Sequence, residues 1–157
     1  MNYASCPTSI VNAPVELVWT LLTHPDGWGD FYDVRITAVM PAGPAAVGQT
    51  VFGESGPRFL HLKLKFQYRE IDEPNYKLGL DAKFPLGITV REDLNCVRLG
   101  PNQCRVNYHC GFGFPKGWRG TLTRFLLRRE LDSGPLDSLT RLRLAAERLH
   151  AKSHALR

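Results

Sequence analysis

One carboxylate interrupts an otherwise apolar strand pattern in the middle of the chain. In "ITVREDLNC", residues 88–96, the residues Ile88, Val90 and Leu94 alternate with polar ones, so the phase that turns them inward also turns Glu92 inward. Removal from water favours the neutral form of a carboxyl group and raises its pKa, which makes a general acid or base for use near neutral pH. Glu92 is therefore the first candidate catalytic residue. The alternatives are a bulge that turns it to solvent and an ion pair with an arginine of the C-terminal helix.

Two tyrosines share the inward phase of other predicted strands. Tyr68 follows Leu62, Leu64 and Phe66 at every second position. Tyr108 likewise shares its phase with cysteines, a valine and phenylalanines at every second position of its strand. A buried phenol can donate a hydrogen bond to a carbonyl or enolate oxygen, so both are catalytic candidates. The alternative is a core tyrosine whose hydroxyl bonds to the backbone. The opposite phase turns His61 and His109 toward solvent.

The sequence offers no pattern typical of a metal or cofactor site. The four cysteines form no C-x-x-C pair and the five histidines are scattered, so we expect free thiols, mostly buried, and no zinc. No G-x-S-x-G occurs, and "GFGFPKG" has neither the Walker spacing nor a following βαβ unit. We therefore expect a protein that uses no metal and no cofactor.

Length and composition are those of one globular domain spanning residues 1–157. Apolar residues make up 43% of the 157-residue chain and charged residues 22%, close to the globular average. The N-terminal residues lack a basic segment followed by an apolar run, which favours a cytoplasmic protein. The sequence leaves open whether it is a monomer or a homodimer.

The excess positive charge lies in the C-terminal segment. Residues 1–114 hold ten basic and eleven acidic side chains, whereas residues 115–157 hold ten basic and four acidic ones. Such a segment is either the solvated face of an arginine-rich helix or a surface for an acidic partner. Binding to nucleic acid is a remote alternative, because no recognised motif accompanies the charge and the arginines are spread around the helix.

The periodicity predicts an α+β fold. A strand at 3–11 is followed by a short helix, which Asn12 would cap near Pro14, and by the aromatic loop "GWGDFYD". The strands that follow are predicted at 34–40, 49–54, 58–71, 76–84, 88–99 and 103–114. From Trp118 onward the pattern is helical, with a kink or break expected at "SGP", residues 133–135.

These elements resemble a known superfamily. The segments "APVELVWTLLTHPDGWGDFYD", "PAGPAAVGQT" and "DSLTRLRLAAERL", in this order, resemble the START/Bet v 1-like superfamily and its polyketide cyclase/dehydrase-like group. The resemblance covers nearly the whole chain. It implies a helix-grip fold, in which a curved antiparallel sheet of about six or seven strands wraps a long C-terminal helix around a hydrophobic cavity. One or two short helices would follow the first strand. The extra segment "GWRGTLTRFLLRREL" departs from the simplest form of that pattern.

The resemblance also implies where a ligand would bind. It places the loop after the first helix at one end of the cavity, so Trp28, Phe31 and Tyr32 either line the mouth as a lid or plug the open end of the core. The remaining ligand-binding candidates share the inward phase of their strand or helix and are Leu62, Leu64, Phe66, Leu80, Val90, Phe112 and Phe125.

The function expected from this arrangement is binding of a hydrophobic, polyketide- or lipid-like small molecule. As an enzyme it would be a cyclase, aromatase or dehydratase, a lyase or isomerase in which Glu92 moves a proton and Tyr68 or Tyr108 polarises a carbonyl. As a carrier or sensor it would only sequester the ligand. A cyclase substrate would arrive on an acidic acyl carrier protein, steered by the pairs Arg124/Arg128 and Arg141/Arg148.

Overall fold

The protein has an α+β architecture in which one antiparallel sheet curves around the C-terminal helix. This computed structural model describes residues 3–32, 34–55, 62–126 and 128–155. The strands in this part of the chain are β1 (Tyr3–Ser5), β2 (Thr8–Val11), β3 (Arg35–Met40), β4 (Thr50–Ser55), β5 (Leu62–Asp72), β6 (Lys77–Lys83), β7 (Thr89–Gly100) and β8 (Gln103–Gly113). The α-helices are α1 (Val15–Thr23), α2 (Trp118–Leu126) and α3 (Arg128–Ala155), and short 3₁₀ turns occur at Pro25–Asp30, Glu73–Asn75 and Pro85–Gly87.

The sheet order brings the N-terminal strands next to the last strand. The order is β1-β8-β7-β6-β5-β4-β3, and β2 also pairs with β8. The single strand expected at 3–11 is thus two short strands on the same edge, separated at Cys6 and Pro7. The break has a physical reason, because proline has no N–H to donate to the ladder. Every pairing is antiparallel, as the turn-rich connections predict.

The alternation on β5 decides which side chains face the helix. Leu64, Phe66 and Tyr68 are buried, whereas Lys63 and Lys65 between them are exposed. Strand β5 pairs with β4 and β6, which places Phe66 opposite Val51 on one side and Ala82 on the other. The period-two pattern therefore predicts the inner face of the sheet correctly.

The cap that the sequence predicts for α1 is wrong. Pro14, not Asn12, is the N-cap residue, and no side chain caps the helix. The Asn12 backbone N–H and side-chain amide instead donate to Glu147 Oε1 on α3, at 2.9 and 3.2 Å. The asparagine thus ties the start of α1 to the C-terminal helix.

Helix α3 covers the inner face of the sheet. Leu139, Leu142 and Ala146 of this helix are buried and are spaced as one helical stripe. The helix continues through Pro135, so the break expected at residues 133–135 does not occur. None of the helices in the described residues is long and apolar enough to cross a bilayer.

We expect burial of Leu139 to contribute much of the free energy that holds α3 against the sheet. Leu139→Ala removes a buried side chain and should lower the free energy of unfolding by about 2–5 kcal/mol. Leu136→Ala, on the same helix but 53% exposed, is the matched control and should change it by less than about 0.5 kcal/mol. Urea denaturation of both variants measures the difference. Equal effects would show that α3 is not anchored through Leu139.

Candidate functional site

A cavity of about 420 Å³ lies between the sheet and α3. Its sheet side is largely apolar, whereas α3 contributes small and polar groups. The lining residues are Tyr32, Val34, Ser55, Leu62, Leu64, Phe66, Phe84, Ile88, Val90, Glu92, Tyr108, Cys110, Phe112, Ser133, Gly134, Pro135, Asp137, Ser138 and Arg141. The size is within the range of small-molecule sites, roughly 300–1,000 Å³.

Glu92 lies on the sheet side of this cavity, as the alternation on β7 predicts. Its cross-strand neighbours are Leu80 on β6 and Cys110 on β8, and the residue is 4% exposed. It makes no bulge. Within the part of α3 whose side chains the structure describes, no arginine pairs with this carboxylate; its Oε2 atom accepts a hydrogen bond from the Tyr32 hydroxyl at 3.2 Å.

Burial dominates the ionisation of Glu92. The pKa of this carboxyl group is raised to about 7; desolvation is the largest cause, and the nearby charge of Asp93 adds to the increase. Hydrogen bonds from Tyr32 and Tyr108 oppose the shift, because they stabilise the carboxylate. The result is a carboxyl group that exchanges its proton near neutral pH inside an apolar cavity.

The groups around Glu92 are held in their neutral forms. Burial, and then the charge of Glu92, raise the pKa of Tyr32 and of Tyr108 well above the usual value. The same two causes raise the pKa of the Cys110 thiol. Tyr32 and Tyr108 are therefore hydrogen-bond donors at neutral pH, and Cys110 is a thiol and not a thiolate nucleophile.

Tyr68 does not join this group. Its hydroxyl donates to the backbone carbonyl of Leu22 at 3.0 Å, and the residue lies outside the cavity lining. Burial raises the pKa of this phenol as well. The placement matches the alternative reading of a core tyrosine with a backbone partner, so we no longer include Tyr68 among the catalytic candidates.

The aromatic loop divides between the core and the cavity. Trp28 is fully buried and its indole Nε1 donates to the same Leu22 carbonyl at 3.2 Å, while Phe31 is also buried. Only Tyr32 of the three lines the cavity. Trp28 and Phe31 thus close the end of the core, and they do not form a lid over the cavity mouth. The 3₁₀ turn Pro25–Asp30 turns the indole inward, and the Leu22 carbonyl in the last turn of α1 has no intrahelical partner of its own.

The other predicted wall residues have mixed outcomes. Leu62, Leu64, Phe66, Val90 and Phe112 line the cavity. Leu80 is buried beside Glu92 but does not line the cavity, and Phe125 is 75% exposed on α2. The prediction for Phe125 assumed that the apolar stripe of α2 faces the core, whereas the buried side of that helix holds Gly120 and Thr123.

The sequence predicts a cavity beside the C-terminal helix, but it does not identify the α3 residues that line it. Ser133, Asp137 and Arg141 recur every fourth residue and so share one face, which lines the cavity together with Ser138. Asp137 and Arg141 are exposed and lie at its mouth. The four-residue spacing was the signal available in the sequence.

The histidine that the structure describes on β8 lies outside the cavity. His109 is exposed on the outer face of the sheet, where its Nδ1 atom is 2.8 Å from Cys6 Sγ. His61 lies outside the described residues. No group of three or more potential metal ligands occurs within residues 3–32, 34–55, 62–126 and 128–155.

Comparisons with solved structures identify the fold. A norcoclaurine synthase point mutant from Thalictrum flavum, in complex with a transition-state analogue, matches with a TM-score of 0.70 at 15% identity, over 98% of this chain and 97% of that one. The Zhui aromatase/cyclase from Streptomyces sp. R1128 matches with a TM-score of 0.72 at 14% identity, over 94% of this chain and 95% of that one. The di-domain aromatase/cyclase StfQ of the steffimycin pathway has a TM-score of 0.68 at 18% identity, over 92% of this chain and 45% of its own.

These similarities confirm the helix-grip fold, which this chain shares with a norcoclaurine synthase and with aromatase/cyclases. No family model matches the sequence, and no curated protein matches it significantly. The TM-scores of 0.68–0.72 establish a shared fold. At 14–18% identity they do not identify a ligand or an activity, which must be argued from the residues of the site.

We expect Glu92 to make stability fall as the pH rises. Its pKa in the folded state, about 7, lies above the ordinary 4.5, so the folded protein binds this proton more tightly than the unfolded chain. The stabilisation is complete below pH 4.5 and is lost as the pH rises through 7. The shift corresponds to about 3 kcal/mol. Glu92→Gln should remove this component from the unfolding free energy measured from acid to mildly alkaline pH, while Glu73→Gln, at an exposed turn, should retain it.

We expect Tyr32→Phe to raise the pKa of Glu92 above about 7, because it removes a hydrogen bond that favours the carboxylate. Carboxyl chemical shifts of labelled glutamate, followed through a pH titration, measure the midpoint directly. Tyr76→Phe, a tyrosine distant from Glu92 that contacts Glu16, serves as the control. A midpoint unchanged or lowered in Tyr32→Phe would contradict the assigned hydrogen bond.

Proposed function

We propose that this protein binds a largely apolar small molecule that carries a carbonyl group, and that it uses Glu92 as a general acid and base on that molecule. The observation that carries the proposal is the buried carboxyl group with a pKa near 7 on the wall of an apolar cavity. The apolar walls would take the hydrocarbon part of the ligand, and the carbonyl would lie near Glu92 and Tyr108. The aromatase/cyclase fold neighbours support this class of substrate by analogy.

The proposed chemistry begins with removal of a proton from carbon. In its ionised form Glu92 takes a proton from the carbon next to the ligand carbonyl. As the carboxylate loses its charge, the Tyr108 hydroxyl changes acceptor from Glu92 to the developing enolate oxygen. The enolate carbon then attacks a second carbonyl of the same molecule and forms a carbon–carbon bond. Protonated Glu92 returns the proton to the new alkoxide, and loss of water from the product would complete a dehydration. Protons and electrons balance, so the cycle needs no cofactor.

Tyr32 has a different role in this proposal. Its hydroxyl donates to Glu92 Oε2, which orients the carboxylate and keeps its pKa from rising further. Tyr32 is thus a positioning residue, and Tyr108 is the proposed donor to the substrate. An acidic acyl carrier protein remains the proposed source of the substrate, since Arg141 lies at the cavity mouth on the basic helix.

Ligand binding is tested first, with N-phenyl-1-naphthylamine as an uncharged fluorescent probe. Ser138→Trp places a large ring in the cavity and should weaken probe binding by roughly tenfold or more, because the apolar volume is filled. Arg148→Trp lies on the same helix outside the cavity lining and should bind the probe as the unaltered protein does. Equal binding by both variants would place the probe elsewhere and overturn the cavity assignment.

Catalysis is tested separately, with 2-tetralone in D₂O as a compact ketone. The protein should accelerate exchange of the hydrogens next to the carbonyl. Glu92→Gln should slow this exchange by about 10²–10⁴-fold with little change in probe affinity, since the amide keeps the shape and loses the base. Tyr32→Phe should shift the pH profile upward with the Glu92 pKa. Exchange that survives Glu92→Gln, or that the protein does not accelerate, would overturn the enzymatic proposal and leave a carrier or sensor.

A further inference from the structure

Helix α2 presents its apolar side to solvent. Trp118, Leu122 and Phe125 follow the i, i+4, i+7 spacing of one helical face, and they are 72%, 47% and 75% exposed. The opposite side of the helix, with Gly120 and Thr123, is buried. A surface helix of a globular protein ordinarily has the reverse orientation, with its apolar stripe against the core.

Local contacts explain why this orientation is fixed. Gly120 lies so close to the preceding segment that a side chain there would meet the Pro115 carbonyl oxygen at 1.9 Å. Only glycine fits this approach, so the Gly120 side must face inward. The Thr123 hydroxyl is satisfied by the Arg119 carbonyl at 2.8 Å. The small and polar side of α2 is therefore packed, and its apolar side is left without protein cover.

A second exposed apolar residue lies close to the start of α2. Leu86, in the turn Pro85–Gly87, is 72% exposed and has a left-handed backbone with φ 64°. The following Gly87 approaches the Pro115 ring, since a side chain there would lie 3.5 Å from Pro115 Cγ. We call Leu86, Trp118, Leu122 and Phe125 together the rim patch.

The rim patch adjoins the mouth of the cavity. Phe84 and Ile88, on either side of the Pro85–Gly87 turn, line the cavity. Phe112 lines it before α2, and Ser133–Pro135 line it after α2. Both exposed segments are thus connected along the chain to residues that line the cavity, and the Pro85–Gly87 turn lies directly between two of them.

The charged residues on the two segments that form the rim patch are basic, whereas the exposed Asp137 of α3 lies at the cavity mouth. Lys83 precedes the exposed turn, and Lys116 and Arg119 stand at the start of α2, all three exposed. The Arg119 guanidinium lies 5.7 Å from the centre of the Trp118 ring. No acidic residue occurs in the sequence between Lys83 and Arg91 or between Gly111 and Arg129. The surface therefore combines large apolar side chains with positive charge.

We propose that the rim patch binds the surface of an anionic lipid bilayer and holds the cavity mouth against it. Aromatic and leucine side chains enter the boundary between headgroups and acyl chains, while lysine and arginine contact anionic headgroups. A symmetric contact with a second copy would bring the same basic residues together, which disfavours self-association. An apolar ligand could then pass between bilayer and cavity without crossing water. The docking itself does not require the ligand or the chemistry proposed above.

The tryptophans make this proposal directly measurable. Trp19 and Trp28 are buried, whereas Trp118 is exposed. Vesicles of phosphatidylcholine containing phosphatidylglycerol should shift the emission of the protein to the blue as Trp118 leaves water, and should co-sediment with the protein. Vesicles of phosphatidylcholine alone should bind more weakly. Salt near 1 M should weaken the binding, because it shortens the screening length to about 3 Å.

Paired variants separate the apolar and the basic contributions. Trp118→Ser with Phe125→Ser should weaken co-sedimentation by roughly tenfold or more, through loss of the inserted side chains. Lys116→Glu with Arg119→Glu should remove the preference for anionic vesicles. Met40→Ser with Val47→Ser replaces two residues that are 60% and 65% exposed. Met40 ends β3 and Val47 lies in the β3–β4 connection, both away from the cavity mouth, so this variant should bind as the unaltered protein does. All of these positions are exposed, and circular dichroism checks that each variant folds.

Three outcomes would overturn the proposal. One is an absence of binding to anionic vesicles, and another is equal loss of binding in the Met40/Val47 control. The third is a blue shift of Trp118 that depends on protein concentration without lipid, or on an added acidic protein, since the patch would then be a protein interface. Probe binding and ketone exchange are measured without vesicles, so failure of vesicle binding leaves those results standing.

Discussion

The desolvation of one carboxyl group governs the chemistry of the cavity. Glu92 is 4% exposed among apolar strand residues, and its burial raises its pKa to about 7. The hydroxyls of Tyr32 and Tyr108 favour the charged form, so they offset part of the cost of burial. Because the charge of Glu92 in turn raises the pKa of both tyrosines, the three groups form a coupled set. The carboxyl group exchanges a proton near neutral pH, and the phenols keep theirs.

The position of Tyr32 depends on how α1 ends. The Leu22 carbonyl, in the last turn of that helix, accepts hydrogen bonds from both Trp28 Nε1 and the Tyr68 hydroxyl. These two bonds fix the indole in the core, and the Tyr32 backbone N–H donates to the Trp28 carbonyl at 2.8 Å. The Tyr32 ring packs 5.3 Å from the Trp28 ring, centre to centre. Trp28 and Tyr68 therefore support the site from the core without touching the cavity.

The sequence predicts well which face of a strand a residue lies on, and predicts poorly whether that residue lines the cavity. Alternation on β7 and β8 places Glu92 and Tyr108 inward because a strand has two faces and only one is buried. Alternation on β5 and β6 also turns Tyr68 and Leu80 inward. The phase of a strand residue does not tell whether it lies on the part of the inner face that packs under α1 or on the part that lines the cavity. Phe125 fails for another reason. The pattern of α2 reveals an apolar stripe, and the direction it faces is decided by the close approach of Gly120 to Pro115, a contact that only the folded chain defines.

Both the cavity and the buried carboxylate lower the stability of the fold. The cavity reduces side-chain packing around Leu64 and Phe66, and an ionised Glu92 at alkaline pH is less well solvated than in the unfolded chain. An aliphatic residue at position 92 and larger side chains at Ser133 or Ser138 would relieve these costs without altering the sheet. Proteins retain such local conflicts chiefly at functional sites. The neighbouring β7 residues Val90 and Leu94 show that the strand accepts aliphatic residues at this phase, so the fold itself does not require a carboxylate there. A carboxyl group at this position therefore supports the function proposed for Glu92.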